Sequence, residues 1–263
     1  MSLELYIIMI GVLSFILSGA RIEKAIFVYN VKDYGAAADG QTDDSEVDFH
    51  VYFVTNATIR NISSIDSKFF HIHIFKSRNI TFNSIIISAP GDSPNTDGIH
   101  IADSTDIYVG NSIIGTGDDC ISIGPGCINL TIFNVLCGPG HGISIGSLGK
   151  DVGEKDVIGL KVKKCNLTSS TNGLRIKTWQ SSLSEDPSLV KITDIKYRNI
   201  TGTYVSQVAY KLVCSEAAPC EGVELSDISL EYNGDYDQDI NATSICVNVY
   251  GSSNGNVEPK PCI

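Results

Sequence analysis

The chain has 263 residues, 43% of them hydrophobic and 19% charged, which allows one sizeable core or one repeat array and excludes a disordered chain. A formal net charge of −11 argues against nucleic acid and anionic membranes as main partners, and an acidic polysaccharide would need a local basic patch to be received. With 24 glycines and one tryptophan, the composition suits a turn-rich β protein better than a helix bundle.

The first element is an apolar run, Leu5 to Ser18, followed by Gly19 and Ala20. Ser18 and Ala20 have the small-x-small spacing of a cleavage site, so residues 1–20 are expected to be a signal peptide and 21–263 the mature domain. The run is short for a membrane span, and no other stretch is long enough to cross one. The competing reading is a buried N-terminal helix. Secretion agrees with seven Asn-x-Ser/Thr sequons, at Asn56, Asn61, Asn79, Asn129, Asn166, Asn199 and Asn241, although the same pattern fits a turn followed by a strand. Eight cysteines without zinc-ligand spacing read as disulfides. Cys214–Cys220, Cys246–Cys262 and Cys120–Cys137 are the expected bridges, and an extracellular location is expected.

From Ile80 onward, β-branched runs recur after polar or glycine-containing turns: Ile80–Ile87, Ile107–Ile114, Leu130–Leu136, Val157–Val162, Val190–Ile200 and Val223–Leu230. The first steps are 27 residues, from Ile80 to Ile107, and 23, from Ile107 to Leu130. Runs of this length, with no helical pattern between them, predict an all-β solenoid whose coils stack and bury a continuous column. A β-sandwich is the rival, but its strands are more closely spaced and do not repeat.

In a solenoid, residues one coil apart lie stacked in space. Four polar segments stand out on that ground: Asn95-Thr96-Asp97-Gly98, Gly117-Asp118-Asp119-Cys120, Gly140-His141-Gly142 and Arg175-Ile176-Lys177. Asp97 to Asp119 and Asp119 to His141 are both steps of 22, which predicts one stack on successive coils. Lys177 follows 36 residues later, as expected if that coil carries a longer loop. Three carboxylates, an imidazole and two cations on one surface fit glycoside hydrolysis, which needs one carboxylic acid and one carboxylate. Clustered carboxylates also keep one of their number protonated. Arg175 and Lys177, two apart in a strand, share a side, and such a pair suits a sugar bearing a carboxylate. Each segment alone is an ordinary turn or strand edge. Calcium binding by the Asp pair lacks a further oxygen-rich ligand set, so no metal or other cofactor is expected.

Those segments sit in longer runs, from Ser93 to His100, Gly115 to Gly124, Cys137 to Gly149 and Asn172 to Trp179. In that order, and with Tyr34-Gly35-Ala36 through Asp39-Gly40 to Thr42-Asp43-Asp44, the sequence resembles the plant polygalacturonases of glycoside hydrolase family 28, nearest the pollen exo-acting type. The resemblance implies a single-stranded, right-handed parallel β-helix. It implies a secreted cell-wall enzyme, monomeric, that hydrolyses the α-1,4-galacturonosidic bonds of pectin by inversion without a metal. Asp118 would be the general acid, Asp97 and Asp119 would hold and activate water, and His141 would tune the acid. Arg175, Lys177 and Asn95 would bind substrate. The acid and base carboxylates would lie about 6.5–9.5 Å apart, and adjacent Asp118 and Asp119 would need a bulge or turn between them.

Two junctions depart from the family pattern. After Asp43-Asp44-Ser45 the chain passes through Glu46 to His50 and resumes at Asn56 in a later coil, and after Trp179 it passes directly to Pro187. The first rival reading is therefore a catalytically inactive, truncated pectin-binding paralogue on the same fold. Others are a rhamnogalacturonan hydrolase and a purely structural solenoid.

Overall fold

The computed structural model describes residues 49–179, 189–234 and 243–263. The expected signal segment, the first-coil motif at Tyr34 to Asp44 and the Asn241 sequon lie outside them, as does most of each junction. Contacts divide the chain into two compact units. One runs up to Leu148 and takes Glu154–Lys177, and the other takes Gly149–Gly153 and Thr178–Ile263.

The first unit is a parallel solenoid. Its front sheet stacks six strands in the order Phe49–Tyr52, Ile72–Phe75, Ile99–Ala102, Ile121–Ile123, Ile143–Leu148 and Leu174–Thr178. Its back sheet stacks Thr55–Arg60, Arg78–Asn83, Thr105–Gly115, Ile128–Cys137 and Lys161–Lys163, with the short strands Ser63–Ile65, Ile86–Ser88 and Asn166–Leu167 alongside. The steps read from the sequence are the registers found: Ile80 pairs with Ile107, and Ile107 with Leu130.

Alternation along each front strand sends one side chain in and the next out. Ile72, Ile99, Ile121 and Ile143 form one inner column, and Val51, Ile74, Ile101 and Ile123 another, all buried. Strands about 4.8 Å apart place like on like, and β-branched side chains with few rotamers fill such columns at little entropic cost. The outward partners, among them His73, His100 and Ser122, line the opposite face of the same strands.

Polar residues turn the corners. Asn56, Asn79, Asp106 and Asn129 all have φ near +60° and occupy one column of the back sheet. Asn tolerates this left-handed region better than β-branched residues do. The column is laddered by hydrogen bonds: Asn79 Nδ2 donates to Asn56 Oδ1 at 2.6 Å, and Asn129 Nδ2 to Asp106 Oδ1 at 2.6 Å. Asn61 and Asn199 also have positive φ. Five of the sequon asparagines are thus corner residues, so the pattern is at least partly the turn-then-strand repeat. Corners also divide the expected runs. Ser84 splits Ile80–Ile87, Gly159 leaves only Lys161–Lys163 as strand in the fourth run, and Asp194 delays the strand in the fifth to Lys196.

Three disulfides join Cys120–Cys137, Cys214–Cys220 and Cys246–Cys262, as expected. Cys127 and Cys165 are free thiols, which corrects the reading of all eight as bridged. Cys127 is buried at a corner, directed at Ile101 O, and burial pushes its thiol up to about 11. Cys165 is directed at Lys163 O from a corner of the back sheet.

In the second unit, Lys196–Tyr204, Cys220–Tyr232 and Val249–Glu258 form one parallel sheet, and Val208–Val213 pairs with Thr243–Val247. Among the described residues its buried cluster is Leu225, Ile228 and Val257, with Tyr197, Ile200, Tyr210, Leu212, Leu230 and Ile263 packed partly buried against it. Among the described residues no helix is long and apolar enough to cross a membrane.

Candidate active site

The front sheet positions the site through its outward residues and the turns that precede its strands. Ile99 pairs with Ile121, and Ile121 with Ile143, so the turns carrying Asp97, Asp119 and His141 stack as the two equal steps require. Backbone bonds carry the stack through the turns, from Gly98 N to Asp119 O and from His141 N to Asp118 O. The register differs at the fourth segment. Ile143 N donates to Gly173 O, so the next coil places Leu174, not Lys177, beside Ile143. Lys177 stands beside Gly146, further along the sheet, and reaches back to the carboxylates with its long side chain.

Asp118 and Asp119 lie in the turn between Thr105–Gly115 and Ile121–Ile123, where the chain can send adjacent side chains to one site. Gly117 permits that turn, because a Cβ there would overlap the backbone of Ser93. Gly142, with φ of +85°, does the same below His141, where a Cβ would strike the backbone of Asn172 and Gly173.

Asp119 is 1% exposed, and both of its oxygens are hydrogen-bonded. Its Oδ1 accepts from Ser144 Oγ at 2.6 Å and Arg175 Nη2 at 2.8 Å, and its Oδ2 from Lys177 Nζ at 2.8 Å. Arg175 Nε also donates to Ser144 Oγ at 3.1 Å. The expected pair of cations sharing one side is therefore present. Their charge is directed at Asp119, so they form no separate basic patch.

Asp118 is half-buried, and its Oδ1 meets His141 Nδ1 at 3.0 Å and its neighbour's backbone N–H at 2.7 Å. Asp97 is buried and, among the described residues, pairs directly with no cation. Its Oδ2 accepts from Ser122 Oγ at 2.5 Å, and Ser122 Oγ also meets His100 Nδ1 at 2.7 Å. Burial pushes Asp97 up to about 6, the Ser122 hydroxyl opposes this, and the Asp118 and Asp119 charges add to it. Asn95 is exposed at φ of +56°, just before these residues and apart from their bonds.

Asp118, Asp119 and His141 each present a ligand atom within 4.8 Å of the others. Both oxygens of Asp119 already face cations, so the positive charge a metal would bring is there in Arg175 and Lys177.

Reasoning from the sequence misses His100, Ser122 and Ser144. The signal for them is the recurring triplet Ile99-His100-Ile101, Ile121-Ser122-Ile123, Ile143-Ser144-Ile145. In each, two inward isoleucines flank a polar residue that must face outward on the sheet that bears the site.

The sequence matches glycosyl hydrolases family 28 over residues 28–185 and 180–255. The chain belongs to this family. It is 40% identical to a polygalacturonase of Medicago sativa over 84% of this chain and 60% of the relative. It is 41% identical to an exopolygalacturonase of Oenothera organensis over 82% of this chain and 68% of the relative. The chain thus spans about 60% of the length of the curated relatives it matches, the Medicago protein being covered to 60%. Among solved structures, it resembles an endo-xylogalacturonan hydrolase of Aspergillus tubingensis with a TM-score of 0.59 at 19% identity, covering 80% of this chain and 61% of that one. A polygalacturonase of Erwinia carotovora gives a TM-score of 0.53 at 20% identity, over 75% and 59%. These structural likenesses establish the fold, the right-handed parallel β-helix.

Proposed function

We propose that this chain hydrolyses the α-1,4-galacturonosidic bonds of polygalacturonan, by inversion, as a secreted cell-wall enzyme. The observation that carries the reading is the convergence of Asp97, Asp118, Asp119, His141, Arg175 and Lys177 on one face of the front sheet. Membership of the family and the names of the curated relatives favour pectin as substrate.

In this mechanism Asp118 delivers a proton to the leaving oxygen, and His141 on its Oδ1 governs which oxygen keeps that proton. Asp97 and Asp119 hold the water that attacks the opposite face of the sugar. The buried ion pairs keep Asp119 in place, and Asp97 is the carboxylate free to take the water's proton. Arg175 and Lys177 have N–H donors beyond those given to Asp119 and Ser144, and these receive the galacturonate carboxylate. Asp97 takes a proton only when ionised, so activity should decline as the pH falls through about 6.

The test is reducing-sugar release from polygalacturonic acid across the mildly acidic range, with Asp118→Asn as control. Activity in the parent and a fall of at least about 100-fold in the variant is expected. A folded chain that binds polygalacturonate and releases no new ends would instead be the binding paralogue.

A further inference from the structure

Two of the three carboxylates are held through a serine. Ser144 donates to Asp119 and accepts from Arg175 Nε. Ser122 donates to Asp97 and is bonded to His100 Nδ1. The two serines pair with each other across adjoining strands, and His100 pairs with Ser122. The same construction of donor, hydroxyl and carboxylate is thus built twice, one coil apart.

Its direction follows from proton inventory. An ionised carboxylate only accepts, so the single hydroxyl proton of Ser122 points to Asp97 Oδ2. Ser122 Oγ must then accept from His100, which places a proton on Nδ1. We propose that His100 is a positioning residue for the hydrolysis, acting through Ser122 to aim that hydroxyl at Asp97 Oδ2 and so to hold the carboxylate oriented for the water it activates. The inference rests on the hydrolase reading of the site.

The surroundings suit a neutral donor. His100 is stacked on Phe70, with ring centroids 4.6 Å apart and planes at 13°, and His73 of the neighbouring strand meets its edge at 5.0 Å. Burial first, then His73 and Lys177, bring its imidazole down to about 4, against the Asp119 charge. It therefore donates one N–H above that pH without adding charge. The charged groups facing Asp97 are Asp118, Asp119 and Lys177, and the first two favour its protonation. The Ser122 hydroxyl is the largest influence working the other way, ahead of Lys177. Losing the imidazole frees that hydroxyl to rotate away.

The experiment compares the full chain with Ser122→Ala, His100→Ala and His100→Asn. The asparagine amide keeps an N–H donor near the Nδ1 position. Two readouts are taken: the pH profile of kcat/KM on polygalacturonic acid, and the carboxyl titration of Asp97 by 13C NMR, assigned by difference from Asp97→Asn. Ser122→Ala should raise the acid-side ionisation by about one pH unit, the size of a lost hydrogen bond to a charged group. His100→Ala should move it part of the way, with kcat falling more than KM changes, and His100→Asn should return it towards the parent. An unshifted titration in folded His100→Ala, or His100→Asn behaving as His100→Ala, would overturn the proposal and reduce the imidazole to packing. If His100→Ala loses its circular-dichroism spectrum, Ser122→Ala and His100→Asn decide between the same two results. An inactive parent chain would end the hydrolase reading, yet the NMR titration would still decide whether His100 controls Asp97.

Discussion

At Asp97, burial and hydrogen bonding act in opposite directions on one carboxyl. Burial is the larger effect, and the group titrates near 6 against an ordinary 3.8. The folded chain then holds a proton on Asp97 between those values that the unfolded chain has released. This stabilising contribution is fully present below about pH 3.8 and is lost as the pH rises through about 6. Asp97→Asn should therefore be more stable than the parent at pH 7, by at most about 3 kcal/mol, and close to it at pH 4. Thermal melts at the two pH values check this. A gap that is equal at both would mean that Asp97 is not held protonated by its surroundings. In the proposed mechanism the same environment that costs folding stability at neutral pH is what tunes Asp97 for its water.

Among the elements, the corners carry more polar burial than the strands they join. Ser77 and Ser104 occupy successive coils at one corner and are almost fully buried. Val54 N donates to Ser77 Oγ at 3.1 Å, Ser77 N to Ser104 Oγ at 3.1 Å, and Ser104 Oγ to Ala102 O at 2.8 Å. Each hydroxyl thus satisfies a backbone N–H that the turn leaves out of the sheet ladder. Ser104→Ala should destabilise the first unit by about 1–3 kcal/mol, because it strands the Ser77 N–H in the interior. Urea titration measures it, and a loss under about 0.5 kcal/mol would show that the corner recruits water instead. Ser104→Cys should cost less, since Cys127 already occupies the next place in the column and points at Ile101 O. These corner columns are poorly legible in the sequence. Apolar periodicity locates the runs and their registers, and equal steps locate Asp97, Asp119 and His141. Ser84, Gly159 and Asp194, however, turn the chain inside runs whose β-branched residues continue on both sides, so one or two intervening polar or glycine residues do not read as a corner. Ser84, with φ of +57°, takes the corner conformation that Asn61, Asn111 and Asn134 take elsewhere in the same column. A change of residue type within a column hides the corner from a search for repeated asparagine. The ion pairs of Arg175 and Lys177 with Asp119 are hidden for a different reason. Spacing places the cations on the right face but cannot say that a carboxylate on another coil claims them.

At the scale of the molecule, each unit is stabilised internally by different means. The first has long inner columns of isoleucine and valine, and one disulfide, Cys120–Cys137. Among the described residues the second has Leu225, Ile228 and Val257 as its fully buried cluster, with Tyr197, Ile200, Leu230 and others packed partly buried against it, and two disulfides, Cys214–Cys220 and Cys246–Cys262. That described cluster is smaller than the columns of the first unit, so covalent closure contributes a larger share there. The 16-residue separation of Cys246 and Cys262 corresponds to about 3 kcal/mol of lost chain entropy in the unfolded state. Replacing both cysteines by serine should therefore lower the protection of amides around Leu225, Ile228 and Val257 by roughly 100-fold in native-state hydrogen exchange. Amides of the Ile99–Ala102 and Ile121–Ile123 strands should keep theirs, because their columns do not include that bridge. Unchanged exchange at Leu225 and Ile228 would mean that the small cluster and its parallel ladder suffice without the bridge.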